Sequence, residues 1–262
     1  TSYGHLHVQI NEPAIAPLGE SLPNTEIFRM LSKAMKLEPE LYEATDIELI
    51  KEALEPSAGG FNPANVMSKI TFDQLKKEGS MRLDLPKDYA PFANGNFPTP
   101  SGKCEFFSTS MQKLGLDPLP SYTPSHEDPQ TRIDLAAHYP IQLLSPPDPA
   151  FLNSSFANLD WQKQDAGRPT LLISPIDAAS RGITEEARVR IFNNRGEFLA
   201  HAKITDAVLS GVAVAQGLWW NKDVPGKANA NATTSTAITD LGAGATFFDN
   251  LIEVEPVSNS DI

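Results

Sequence analysis

Gly217-Leu218-Trp219-Trp220-Asn221 is followed closely by Asn229-Ala230-Asn231-Ala232-Thr233-Thr234, a run of amides and hydroxyls with few charges. Indole planes offer contact area, and carboxamide and hydroxyl groups supply hydrogen bonds of both signs. Such walls suit a ring system rich in nitrogen and oxygen, such as a pterin or a purine. By itself the stretch also reads as a strand end and a polar surface loop, because Asn, Ser, Thr and Gly are ordinary turn residues. A second stretch of the same character shifts the balance toward a cleft: Ala150-Phe151-Leu152-Asn153-Ser154-Ser155-Phe156-Ala157-Asn158.

Other chemistries find less support. His5 and His7 share one strand face, but no third metal ligand lies near them. Ser101-Gly102-Lys103 lacks the glycine-rich start and following helix of a phosphate loop. No Ser-His-Asp order with a nucleophile turn is present, which argues against a barrel hydrolase. His138 and His201 read as strand-end or surface hydrogen-bonding groups. A single cysteine, Cys104, excludes an internal disulfide framework and any cluster held by several cysteines of this chain. In the alternating run Lys103–Phe107 it reads as a small buried residue on a strand.

The elements that must position the two polar stretches are short strands. Tyr139–Ser145, Leu171–Ile173, Arg188–Phe192, Glu197–Thr205, Val212–Gln216 and Leu251–Glu255 each alternate or run apolar. Asn193-Asn194-Arg195-Gly196 is a tight hairpin turn. Ser174, Pro175 and Gly182 cap, start and close one short helix. With no regular strand–helix–strand rhythm, this half predicts a closed barrel, on whose rim the two polar stretches could meet.

The first half reads differently. Tyr3–Ile10 alternates like a strand. Asn24 is expected to cap a helix over about 25–36, whose stripe Ile27, Phe28, Leu31, Ala34 and Met35 is expected to be core. Thr45–Glu48 is a capping-box pattern opening a helix through Leu54, which Ser57–Gly60 ends. Thr71–Gln74 opens another, stopped by Gly79. Residues 108–137 are Pro-rich and read as a surface-crossing linker.

The chain has 262 residues, room for one large or two modest domains. Its net charge of −12 argues against a nucleic-acid surface and against contact with an anionic membrane. No apolar run reaches a membrane span of roughly 20 residues. The first residue is Thr1 and no signal region is visible, so the chain reads as starting inside a longer protein. Cytoplasmic rather than periplasmic residence is the expectation.

In this order the pieces resemble the molybdopterin oxidoreductases of the dimethyl sulfoxide reductase family. The residues carrying the resemblance are Asn11-Glu12-Pro13, Leu18-Gly19-Glu20, Thr99–Lys103, Ser145-Pro146-Pro147, Phe151–Phe156, Val189–Gly196, Trp219-Trp220-Asn221, Asn231 and Phe247–Asn250. No one of these motifs is diagnostic; their order is.

The resemblance implies a mainly β fold with α. Residues 138–262 would be a molybdopterin dinucleotide-binding domain, a double-psi β-barrel. Residues 1–137 would be a small, mostly helical tail of the preceding oxidoreductase domain plus a connection. It implies a molybdenum or tungsten bis-molybdopterin guanine dinucleotide cofactor. The contacts expected are Ser145, Pro146, Asn153, Ser154, Ser155, Phe156, Asn158, Trp220, Asn221, Asn231, Phe248 and Asp249. It implies two-electron oxo or hydride transfer, with the metal ligand and a 4Fe-4S cluster outside this chain, so no catalytic or metal-ligating residue is expected here and the isolated chain is expected to be inactive. The expected partners are the rest of the same polypeptide and an electron-transfer subunit. At Thr184–Ala187, where the family often has a Gly-Asp turn, the absence of glycine suggests a different turn. The alternative is a non-catalytic double-psi barrel used as a binding module.

Overall fold

The computed structural model describes residues 4–55, 66–67 and 69–257. The expected helix stop at Ser57–Gly60 lies outside them, as does Tyr3. The chain divides into two compact units between Phe106 and Phe107.

The first unit is built on three helices and a small ladder. Helix α1 (Asn24–Ala34) starts one residue earlier than expected: Asn24, the expected cap, is helical, and Pro23 stands at the cap position without a side-chain bond. Helix α2 (Asp46–Leu54) carries the expected capping box, with the Thr45 hydroxyl and the Glu48 carboxylate each taking the other's backbone N–H. In α3 (Phe72–Glu78) the Thr71 hydroxyl accepts from Gln74 N–H, and Gly79 at φ 74° closes the helix. Strand β1 (His7–Gln9) pairs antiparallel with β2 (Ser80–Arg82), a strand the sequence pattern does not show. β1 is shorter than expected because Gly4 and Leu6 both take positive φ, which ends extended backbone.

Two expectations fail in this unit. The α1 stripe is not core: Ile27, Phe28, Leu31 and Met35 are 47–64% exposed. Buried Ile70 and Leu75 instead lie at and on α3, while Arg29 ties α1 to α2 by bonding Ala44 O and Asp46. Cys104 is also exposed, and residues 103–107 form no strand. Local bonds hold a turn there: Gly102 at φ 68°, Thr99 Oγ1 on Lys103 O, and Ser101 N–H on Glu105.

In the second unit the stretch expected as a linker contains two short helices, α4 (Thr109–Lys113), which Ser108 caps, and α5 (Ile133–Ala136). Six strands then close a barrel: β3 (Ile141–Leu144), β4 (Thr170–Ile173), β5 (Arg188–Phe192), β6 (Glu197–Ile204), β7 (Val212–Ala215) and β8 (Leu251–Pro256). The order around the barrel is β3-β7-β4-β6-β5-β8. Two pairs are parallel, β3 with β7 and β4 with β6, within an otherwise antiparallel closure. This is the expected double-psi barrel. Alternate residues along the strands point inward and fill it: Leu143, Leu171, Ile173, Val189, Ile191, Ala213 and Val254 are all buried.

Helix α6 (Asp160–Ala166) lies in the β3–β4 connection and escaped the sequence pattern. Helix α7 (Pro175–Ser180), capped by Ser174 and closed by Gly182, follows β4 as expected. At Thr184–Ala187 a positive φ is taken without a glycine. Glu186 itself adopts φ 65°, and Ala187 N–H closes on Thr184 O.

Candidate functional site

Strand directions decide where the polar connections emerge. β3 and β7 run parallel, so the segments leaving Leu144 and Ala215 start at the same end of the barrel. β8 pairs antiparallel with β3, Gln142 opposite Leu251, so the residues just before β8 reach that end too. The β5–β6 hairpin closes there as well, because β5 is antiparallel to β8, Phe192 opposite Glu253. The β3–β4 and β7–β8 connections therefore share one rim, and they hold every expected contact residue. The opposite rim carries α7 and the β6–β7 connection.

The two connections are joined at their roots. Gly217 N–H donates to Pro146 O at 2.9 Å. Gly217 has φ 80°, and a Cβ there would stand 2.9 Å from the Asp148 Cβ, so the approach requires glycine on both counts. Beneath the rim Phe151, Ala157, Trp219 and Val224 form an apolar pad, with the Phe151 and Trp219 rings edge to face at 5.1 Å. Trp219 is 7% exposed, so only one of the two indoles faces the mouth. That one, Trp220, donates its Nε1–H to Ser154 O at 2.7 Å and fastens one connection to the other. The Lys222 ammonium lies 4.8 Å from the Trp220 ring centre.

Ser145 and Pro146 are half-buried where β3 ends. Asn153 and Ser154 form the tip of a tight turn in which Leu152 and Ser155 exchange both backbone bonds; Asn153 (φ 53°) and Phe156 (φ 68°) are left-handed. Asn153, Ser154, Ser155, Phe156 and Asn158 are exposed. Among the described residues, no side-chain bond engages Asn153, Ser154, Ser155, Asn158 or Asn231. These amides and hydroxyls stand toward solvent, free to meet a ligand.

Asn229 organises the second connection. Its Nδ2 donates to Trp219 O (2.8 Å) and Asn221 Oδ1 (3.0 Å), and its Oδ1 accepts from Asn231 N–H (3.0 Å). Asn229 thereby bonds both the side chain of Asn221 and the backbone of Asn231. Phe248 and Asp249 reach the same rim but turn elsewhere: Phe248 O accepts from Gln142, and Asp249 accepts from His126 N–H at 2.8 Å. With Thr239 and Thr246, Asp249 and His126 line a small separate hollow. Among the described residues no hydrogen bond joins Asp249 to Asn153, Asn221 or Asn231. His201, the expected strand-end group, has its Nδ1 3.4 Å from Glu186 O. Burial, then the Arg168 and Arg188 charges, hold its pKa below the usual histidine value.

A buried polar latch supports the rim. Glu127, 5% exposed, accepts two bonds from Arg195 and one from Leu251 N–H. Asn193 donates to Thr233 O, Asn250 Oδ1 and Leu251 O, and Asn250 donates to the Thr233 hydroxyl. The latch thus ties the hairpin, the β7–β8 connection and the pre-barrel segment together. Sequence reasoning missed Asn229, although it lies in the polar run, and Glu127, which gives no local signal.

Residues 141–251 match the family model described as "Molydopterin dinucleotide binding domain". The chain is 38% identical over 259 residues to "Probable oxidoreductase YoaE" of Bacillus subtilis (strain 168), covering 98% of this chain and 35% of that protein. It is 30% identical to "Dimethyl sulfoxide reductase DmsA" of Escherichia coli (strain K12), covering 96% of this chain and 33% of that protein. The chain belongs to the molybdopterin oxidoreductases of the dimethyl sulfoxide reductase family. It spans about a third of the length of the curated relatives it matches. The fold agrees with that of "Acetylene Hydratase from Pelobacter acetylenicus", at a TM-score of 0.67 and 21% identity over 97% of this chain and 35% of that one.

Proposed function

We propose that this chain is the cofactor-holding C-terminal portion of a molybdenum or tungsten oxidoreductase, and that its rim grips a bis-molybdopterin guanine dinucleotide. The observation carrying the reading is the Trp220–Ser154 bond, which makes one mouth of two connections on which the side chains of Asn153, Ser154, Ser155, Asn158 and Asn231 have no hydrogen-bond partner among the described residues. The donor set fits such a group. Asn153, Ser154, Ser155, Asn158, Asn221 and Asn231 offer neutral donors and acceptors for ring edges. Phe156 and Trp220 offer apolar faces, and Lys222 is a cation beside Trp220.

When bound, the cofactor supplies two-electron oxo or hydride transfer at its metal. The chain's own residues orient and enclose. The pad of Phe151, Trp219 and Val224 excludes water from beneath the mouth, and the latch of Glu127 and Arg195 keeps the connections in place. Neutral polar groups do this without leaving an unpaired charge in a closed site. Backbone N–H groups of the turns add donors for phosphate oxygens.

The proposed partners are the remainder of a longer polypeptide, which would hold the metal ligand and a 4Fe-4S cluster, and an electron-transfer subunit. The exposed α1 stripe and the lone Cys104 support the first of these. The cytoplasm is the proposed location; among the described residues no helix is long and apolar enough to cross a membrane. The test is paired. The purified chain binds GDP in a calorimetric titration, and shows no turnover with artificial electron acceptors. Absence of GDP binding contradicts the site, and metal-dependent turnover contradicts the division of labour.

A further inference from the structure

The orientation of one carboxamide at the mouth is fixed by backbone groups, and this sets what it reads. Amide oxygen and nitrogen are told apart by their partners. Asn229 has two unambiguous ones. Trp219 O can only accept, so it faces the Asn229 nitrogen; Asn231 N–H can only donate, so it faces the oxygen. The second Nδ2 hydrogen of Asn229 points at Asn221, 3.0 Å away, and that contact requires the Asn221 oxygen. Asn221 therefore turns its oxygen toward Asn229, engaging one of that oxygen's two lone pairs inside the chain, and turns its nitrogen away. Its Nδ2, with two N–H donors, has no partner among the described residues, and the residue is exposed.

From this geometry we infer that Asn221 reads the ligand through its Nδ2 donors, recognising a hydrogen-bond acceptor such as a keto oxygen, a ring nitrogen or a phosphate oxygen, and that Asn229 is the positioning residue that imposes this polarity. The inference rests on the dinucleotide reading of the rim. Asn229 touches no ligand itself. It converts an amide of two possible polarities into one, and so disfavours ligands presenting a donor at that point.

The test has two arms on the 262-residue chain. In the first, without ligand, side-chain amide NMR compares exchange protection. The Asn229 amide protons are protected and those of Asn221 exchange freely; protected Asn221 protons overturn the inference. In the second, GDP and guanosine are titrated against wild type, Asn221→Leu, Asn229→Asp and the double variant. Asn221→Leu weakens binding about tenfold, the worth of one hydrogen bond. Asn229→Asp, which keeps the acceptor for Asn231 but cannot donate, weakens it similarly, and the double variant loses no more than Asn221→Leu alone. Loss with both probes places the acceptor on the base or sugar; loss with GDP alone places it on the phosphates. Asn221→Leu binding both probes as wild type does overturns the inference while leaving the rim reading intact. A wild-type chain that binds neither probe removes both.

Discussion

Glu127 shows how much one buried side chain does here. Its carboxylate takes a forked pair of bonds from Arg195 and the first N–H of β8, all from segments far apart in sequence. Removing one partner of such a pair leaves the other desolvated and unpaired. Glu127→Ala is expected to lower unfolding free energy by about 2–4 kcal/mol in urea melts; an unchanged midpoint would show the latch to be incidental. Asp177 does similar work at the opposite rim. Burial pushes its pKa up, but bonds from Ser174, Gly211 and Ser210 and the Arg181 charge outweigh this and hold it below the ordinary carboxylate value. The folded value is the lower one, so its stabilisation is present above the unfolded pKa and drains away as pH falls through the folded one. Melting curves collected from neutral pH down into acid should fall less steeply for Asp177→Asn than for wild type. Equal slopes would contradict the linkage. Neither role was legible in the sequence: Glu127 sits in a Pro-rich stretch, and nothing local marks which carboxylate will be buried.

At the scale of elements, the parallel pairing of β3 and β7 brings the connections together, and Gly217 is where it tolerates no side chain. Gly217→Ala combines a left-handed backbone with a Cβ pressed against that of Asp148. It is expected to cost roughly 1–3 kcal/mol and to weaken GDP binding, measured by melts and titration in parallel. Full stability together with full binding would contradict the account. The strands, the Asn193–Gly196 hairpin, the Thr45–Glu48 capping box and the Thr71 cap were legible because each is written in local periodicity and turn chemistry, although Thr71–Gln74 makes only half of the expected box. The order of strands was not, since parallel neighbours are distant in sequence and leave no local trace. α6 was missed because Asp160–Ala166 is polar with a single aromatic, so no apolar stripe announces it. β2 was missed because three residues are too few to show alternation. Cys104 misled because Lys103–Phe107 alternates, yet turn bonds on either side of it prevail.

At the scale of the molecule, the chain corresponds to about a third of its relatives, and its first unit carries an apolar helix face open to solvent. Such faces drive association when uncovered. The double variant Phe28→Ser, Leu31→Ser is expected to reduce self-association in light scattering while changing stability by no more than about 0.5 kcal/mol. A large loss of stability would show the stripe to be core after all. That face was read as core because amphipathic periodicity reports that a helix has a partner, not which segment provides it. The candidate site was legible in part for a related reason. Composition marked Asn153, Trp220, Asn221 and Asn231 as polar lining, whereas the bonds that aim them pass through Asn229 and Ser154 O and depend on the closed barrel.

The central claim is that one rim of the barrel, built from the 145–158 and 217–231 connections, is the nucleotide-gripping mouth. Backbone and side-chain amide NMR of the labelled chain during a GDP titration tests it most directly. The account predicts that the largest shift changes fall on Asn153, Ser154, Trp220, Asn221 and Asn231. Changes confined to the opposite rim, at residues 174–187 and 205–211, would contradict it.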